Sequence, residues 1–272
     1  MTSRFARIPA HALVRRLALA ASLSLAGTSA ASAGTLFEAE DSAAGYPAGT
    51  DWVGQNGGSG FAAWTSEGDE PAARRIDEGF YLQAADTGTG AIVMKRALDT
   101  DAPLQEGTFS ATSWGWGDEA GDFVGFALYG QDGELFRWGL GVSGGEPVFR
   151  YSTDGGARYE TAFSGYPSSS RADYSLSWSL LDGALSLVLR EATYFPDGCD
   201  IRLEHSSAVT AFAALLEEGG IASAHGDGTE MLFDNLSVRG VTASIPEPSS
   251  SACLATGLVA LLCLLRRRPL RR

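Results

Sequence analysis

From Tyr174 to Leu180 apolar residues and serines alternate without a break, Tyr-Ser-Leu-Ser-Trp-Ser-Leu. That period of two belongs to a β-strand, because it puts every apolar side chain on one face and every hydroxyl on the other. The next residues, Leu181-Asp182-Gly183-Ala184, carry the Asp-Gly pair of a two-residue hairpin turn, and Leu185-Ser186-Leu187-Val188-Leu189 leads back. A chain with such a hairpin is committed to an antiparallel sheet with one buried face. The same pattern recurs where Gly130-Gln131-Asp132-Gly133 separates 123–129 from 135–142. Short apolar runs between turn residues predict strands over 80–84, 91–96, 107–113, 123–129, 135–142, 147–152, 158–163, 174–181, 184–191, 201–204, 209–216 and 231–239. Residues 211–218, Ala-Phe-Ala-Ala-Leu-Leu-Glu-Glu, have helical propensity, but their neighbours favour a strand or a short helical turn. The 34 glycines among 272 residues fit the many turns of an all-β antiparallel sandwich. One such sandwich accommodates residues 34–243 as a single domain.

The charges are segregated along the chain. Residues 1–33 hold four arginines and no acid, residues 266–272 hold five arginines and no acid, and all 33 acids lie between. Residues 34–243 carry 11 basic and 32 acidic side chains, a net charge of −21. Such a domain lacks the basic surface that phosphate neutralisation requires, which argues against nucleic acid as a partner. It should be soluble, repel anionic lipid and attract divalent cations.

The ends read as addresses. Arg4, Arg7, Arg15 and Arg16 precede the apolar run 17–26, and Ala31-Ser32-Ala33 supplies a small-residue cleavage site before Gly34. Together they make a secretory signal peptide over 1–33, with signal peptidase as its partner. At the other end Pro246-Glu247-Pro248 is followed by an uncharged stretch, then Arg266-Arg267-Arg268. From Ser249 to Leu265 is 17 residues. As a helix they span about 25 Å, short but sufficient for a transmembrane helix, with the arginines held on the cytoplasmic side as a basic stop.

In that order and at that position, the Pro-Glu-Pro motif, apolar helix and arginine tail over 244–272 resemble the PEP-CTERM sorting signal of Gram-negative bacteria. The resemblance implies processing by an exosortase, a membrane cysteine transpeptidase that removes the helix and basic tail. The protein would be anchored in the inner membrane only before that step, then passed to the cell surface or extracellular matrix. Gly57-Gly58-Ser59-Gly60-Phe61-Ala62-Ala63-Trp64 and the final strand Phe233-Asp234-Asn235-Leu236-Ser237-Val238 resemble secreted concanavalin A-like, laminin-G-like sandwiches. That resemblance implies a jelly-roll of two curved antiparallel sheets, a concave face of the kind that takes carbohydrate, and adjacent first and last strands.

No catalytic motif emerges. The Glu-x-Asp-x-x-Glu strand of sandwich glycosidases, which lines up carboxylates on one face, is approached only by Glu67-Gly68-Asp69-Glu70, in a turn-rich segment without the final Glu. No His-x-x-x-His or Cys/His spacing suggests zinc. Cys199 is the one cysteine of 34–243 and lies between Asp197 and Asp200, which disfavours a thiolate and predicts a buried structural thiol. The reading is therefore a non-catalytic binding or structural module, with no certain cofactor. The alternative is a carbohydrate-binding module for exopolysaccharide; the third is a glycan hydrolase without a recognisable motif. Two features could bind a ligand. Trp114 and Trp116, separated by Gly115, would face one side of a strand as a sugar platform. Asp227, Asp234 and Asn235 offer oxygen ligands for calcium beside the closing strand.

Overall fold

The computed structural model describes residues 34–84, 90–116, 121–165, 171–217 and 229–242. The segments read as signal peptide (1–33) and sorting signal (244–272) lie outside the described residues, Gly34 being the first of the domain. Among the described residues no helix is long and apolar enough to cross a membrane.

These residues form two antiparallel sheets in a jelly-roll-like sandwich. The eight-stranded sheet contains β1 (Leu36–Asp41), β3 (Ala73–Ile76), β4 (Phe80–Gln83), β6 (Leu104–Trp116), β11 (Ala172–Leu181), β12 (Ala184–Glu191), β13 (Phe195–Leu203) and β15 (Glu230–Thr242). Its order is β13-β12-β11-β6-β15-β4-β3, and β1 also pairs with β15. The seven-stranded sheet contains β2 (Thr65–Gly68), β5 (Ala91–Ala97), β7 (Phe123–Gly130), β8 (Gly133–Ser143), β9 (Glu146–Ser152), β10 (Glu160–Ser164) and β14 (Ala211–Glu217), in the order β10-β9-β8-β7-β14-β5-β2.

The alternating hairpin forms as its sequence predicts. β11 and β12 pair from Tyr174 against Glu191 to Leu181 against Ala184. Asp182 and Gly183 both take the positive φ, 53° and 78°, that the mirror-image hairpin turn needs. Segment 211–217 is a strand, not a helical turn. Its two edges pair with β5 and β7, and this tertiary pairing outweighs the helical propensity of its Ala and Leu residues. Three strands lie outside the predicted set. β1, β2 and β3 read Leu-Phe-Glu-Ala-Glu-Asp, Thr-Ser-Glu-Gly and Ala-Arg-Arg-Ile, charged or short sequences suited to edge positions, where alternation is weak.

The inner faces meet over an aromatic core. Phe109 of β6 lies 5.2 Å from Phe126, 5.4 Å from Trp138 and 5.2 Å from Phe212, ring centre to ring centre. Trp52, Trp64, Phe80 and Phe233 form a second group in the same core, joined to the first by the Trp64–Phe212 and Phe126–Phe233 contacts. Each such contact adds about 0.5–1.5 kcal/mol beyond simple burial.

One ionic group lies inside this core. Arg96 of β5 is fully buried and ion-paired with Asp41 of β1. Its Nε donates to the carbonyl of Ala62 at 2.7 Å, its other groups donate to Tyr46 and Asn56, and it lies over the rings of Phe61 and Trp64. Asp41 Oδ2 also accepts from Tyr46 Oη at 2.9 Å and Trp64 Nε1 at 3.2 Å. Desolvation pushes the Arg96 pKa down to about 10. The group ties the first strand of one sheet to the other sheet, and β1 pairs in turn with β15, so the first and last strands are adjacent as the resemblance implied.

Candidate functional site

Alternation also dictates what the seven-stranded sheet turns outward. Phe126, Leu128, Trp138, Phe149 and Phe212 face the core, so their neighbours in sequence face away from it. The register then places in one row Thr65, Lys95, Ala213, Ala127, Arg137 and Ser152. The adjacent row runs Glu67, Val93, Leu215, Gly125, Gly139, Arg150 and Thr161. Small residues thus form the centre of this face, with charged side chains rising around them.

Arg137 organises the face. Its Nε and Nη2 donate to the two carboxylate oxygens of Glu134 at 2.6 and 2.7 Å, a bidentate pairing. Its Nη1 donates to Glu217 and, at 3.3 Å, to Tyr159 Oη. Tyr159 Oη donates to the second Glu217 oxygen at 2.6 Å. Burial works against the Arg137 charge, but the hydrogen bonds to Glu134 and Tyr159 and the charges of Glu134 and Glu217 outweigh it and hold the guanidinium above its ordinary pKa. Desolvation, with the hydrogen bond to Glu217, raises the Tyr159 phenol, which stays protonated at neutral pH.

The polar chain continues on both sides. Tyr129, its phenol also raised by burial, reaches Glu134 at 3.4 Å and lies under Lys95 Nζ, 4.2 Å from the ring centre. Lys95 pairs with Glu67 at 3.6 Å. On the other flank Arg150 lies 4.0 Å over the Tyr159 ring, which in turn is 5.0 Å from the ring of Phe123. Gly141 makes this packing possible, since a Cβ there would fall 2.1 Å from Arg150 Nε. Beside the buried centre of the sheet, this pre-aligned set of guanidinium, carboxylate and phenol groups has the donors and acceptors to hydrogen-bond a hydroxyl-rich ligand.

This site is not among the residues that the sequence singles out. Trp114 lies on the outer face of the opposite, eight-stranded sheet, half-buried beneath the Arg171 guanidinium at 5.0 Å. Trp116 ends β6 opposite Glu230. Asp234 Oδ1 accepts from the backbone N–H of Ala43 at 2.8 Å, and Asn235 is exposed with a φ of 54° where the β15 ladder shifts register. Asp227 lies outside the described residues, as do Ala31, Ala33, Pro246, Glu247, Pro248, Arg266, Arg267 and Arg268. Asn235 borders a cavity of about 580 Å³ with Glu40, Asp41, Ser42 and Gly58. Among the described residues no three His, Cys, Asp or Glu side chains are grouped to hold a metal ion. Cys199 is half-buried rather than buried, and burial and then Asp200 push its thiol pKa up.

No protein-family model matches the sequence, and no curated protein does. Solved structures are similar in fold. An alginate lyase solved with an alginate tetrasaccharide is 10% identical, with a TM-score of 0.52 over 78% of this chain and 100% of that chain. A carbohydrate-binding module of an evolved Dit protein from a Lactobacillus casei phage is 9% identical, covering 77% of this chain and 99% of that one at a TM-score of 0.44. A β-1,3-glucanase from Mycobacterium marinum is 15% identical, covering 73% and 97% at 0.41. The likeness is one of fold.

It nevertheless corrects one expectation. The reading of this chain as non-catalytic does not stand, because the lyase that its sandwich matches over the lyase's whole length is an enzyme. That reading excluded one linear arrangement of carboxylates. An outer sheet face instead gathers side chains from strands far apart in sequence, as it does here for Glu134, Arg137, Tyr159 and Glu217, and no linear motif records that.

Proposed function

We propose that the 34–243 domain engages an extracellular polysaccharide on the outer face of its seven-stranded sheet. The observation that carries this reading is the Arg137 group, in which one nearly buried guanidinium is held by Glu134, Glu217 and Tyr159 beside a floor of glycine and alanine. Stability alone gives little reason for such a group. A buried ion pair replaced by well-packed apolar residues is often neutral or stabilising. Planar groups in fixed orientation are what recognition of vicinal hydroxyls requires, and the half-buried Tyr159 adds ring surface.

The reading is tested by equilibrium binding to a panel of soluble polysaccharides. Tyr159→Phe keeps the ring and removes the hydroxyl that hydrogen-bonds both Arg137 and Glu217. It should weaken binding by about tenfold, or ~1.4 kcal/mol, with little change in melting temperature, while Trp114→Ala on the opposite sheet should leave affinity unchanged. Absence of binding to every polymer, or binding indifferent to Tyr159→Phe, would sink the reading.

A second reading, glycan cleavage, is favoured by the Tyr159 hydroxyl itself. A phenol protonated at neutral pH can donate its proton to the leaving glycosidic oxygen; in hydrolysis water adds to the anomeric carbon and its released proton restores the phenol, and in elimination the proton released from the ring carbon does so. New reducing ends would mark hydrolysis and new unsaturated ends elimination; both should vanish in Tyr159→Phe.

The sequence signals complete the proposal. The signal peptide supports export and the Pro246-Glu247-Pro248 tail supports exosortase processing, which would leave the domain at the cell surface or in the matrix, where such a polymer is met.

A further inference from the structure

Three cations stand on the outer face of the seven-stranded sheet, and they are not equivalent. Arg137 is committed to Glu134 and Glu217, and Lys95 to Glu67. Arg150 is only 8% exposed, yet among the described residues no carboxylate lies within ion-pair distance of it. Its Nη2 donates to the backbone carbonyls of Gly121 and Asp122 at 3.2 and 2.6 Å, and its Nε–H has no acceptor. The guanidinium is fixed between the Tyr159 ring, the more distant Phe123 ring and the bare backbone of Gly141.

Burying a charge is costly unless an opposite charge or a full set of hydrogen bonds compensates it. Aromatic faces, two carbonyls and the more distant charges of Glu217 and Asp122 recover part of that cost, and among the described residues the Nε–H is left without an acceptor. The long-range field cannot draw in a further anion, because the domain carries a net charge of −21 over residues 34–243. An anion that reaches Arg150 must therefore be brought by other contacts, as one substituent of a ligand already held on the same face.

We infer that Arg150 receives an acidic substituent, carboxylate or sulfate, of the polysaccharide held beside it, so that the ligand is an anionic glycan. This rests on the reading that the outer face engages a polysaccharide. The fork of a guanidinium suits either oxyanion, and the bound ring positions the substituent.

The test uses polymers in matched pairs, polygalacturonate and alginate against their methyl esters, and dextran sulfate against dextran, with dissociation constants measured at constant ionic strength. The wild-type domain should hold the acidic member of a pair about tenfold more tightly than the neutral one; which pair responds separates carboxylate from sulfate. Arg150→Gln should abolish that preference, so that the acidic and neutral members of a pair bind with equal affinity. Arg150→Lys, which keeps the charge and loses the fork, should retain part of it, and its melting curve controls for folding. Equal affinity for acidic and neutral members, or a preference that survives Arg150→Gln, overturns the role of Arg150 while the engagement reading stands. Failure to bind either member of every pair overturns both.

Discussion

Arg137 and Arg150 illustrate what a single residue discloses before the fold is known. Each is a charge between two aromatic residues, Phe136-Arg137-Trp138 and Phe149-Arg150-Tyr151, and alternation reads both as solvent-facing positions of a strand. That reading is right about direction. It misses that Arg137 finds Glu217 some 80 residues away and that Tyr159 arrives from the segment before β10, because register between distant strands is set by tertiary pairing. Trp114 stood out for the converse reason: aromatic residues are conspicuous in sequence whatever covers them, and Arg171 covers this one. Cys199 was legible in its chemistry though not in its depth. Burial, Asp200 and Glu160 all disfavour its thiolate, so iodoacetamide should label the native thiol at pH 7 at least about tenfold more slowly than the urea-unfolded one. The gap should narrow as pH rises, when the native thiol begins to ionise; equal rates at pH 7 would contradict the raised pKa.

At the scale of strands, those with one buried face and a neighbour on each side were visible, since packing imposes the period of two on them. β11 and β12 were recognisable in this way, and β7, buried along its whole length, from the glycine-rich turn that follows it. β1, β2 and β3 were not, because a charged edge strand is specified by what it pairs with and hides in its own sequence. β1 depends on such a pairing twice, through β15 and through the ion pair of Asp41 with Arg96. Removing one partner of a buried pair leaves the other charge uncompensated, at about 3–5 kcal/mol. Asp41→Ala should therefore lower the unfolding free energy by that amount in urea titration. The exposed Arg239 pair with Glu40 on the same strand should contribute less than about 1 kcal/mol. If Glu40→Ala proved as damaging as Asp41→Ala, the buried ion pair would not be what anchors the strand.

For the whole molecule, the proposed reading of the charge segregation and the two terminal segments is a route of export for the sandwich. The resemblance at the C-terminus leads to a direct expectation. Replacing Pro246-Glu247-Pro248 with three alanines should leave the full-length chain in the inner membrane fraction and abolish its surface delivery, as seen by fractionation and immunoblotting. Normal delivery of that variant would refute the sorting role. The acidic domain and the apolar core were legible at this scale because both are sums over many residues, whereas the site depends on a few residues and their register.

The pairing of β1 with β15 also bears on timing. Leu36 lies beside Val241, so on the proposed export route the first strand to emerge meets its partner only when the last strand has followed it. Contacts of such long sequence separation close late and slowly. Until then β1 has no edge to join and the Asp41–Arg96 link has no closed sandwich around it. On that proposed route, the order of the strands would delay completion of the native state until nearly the entire domain has crossed, which keeps the chain threadable for as long as it needs to be threaded.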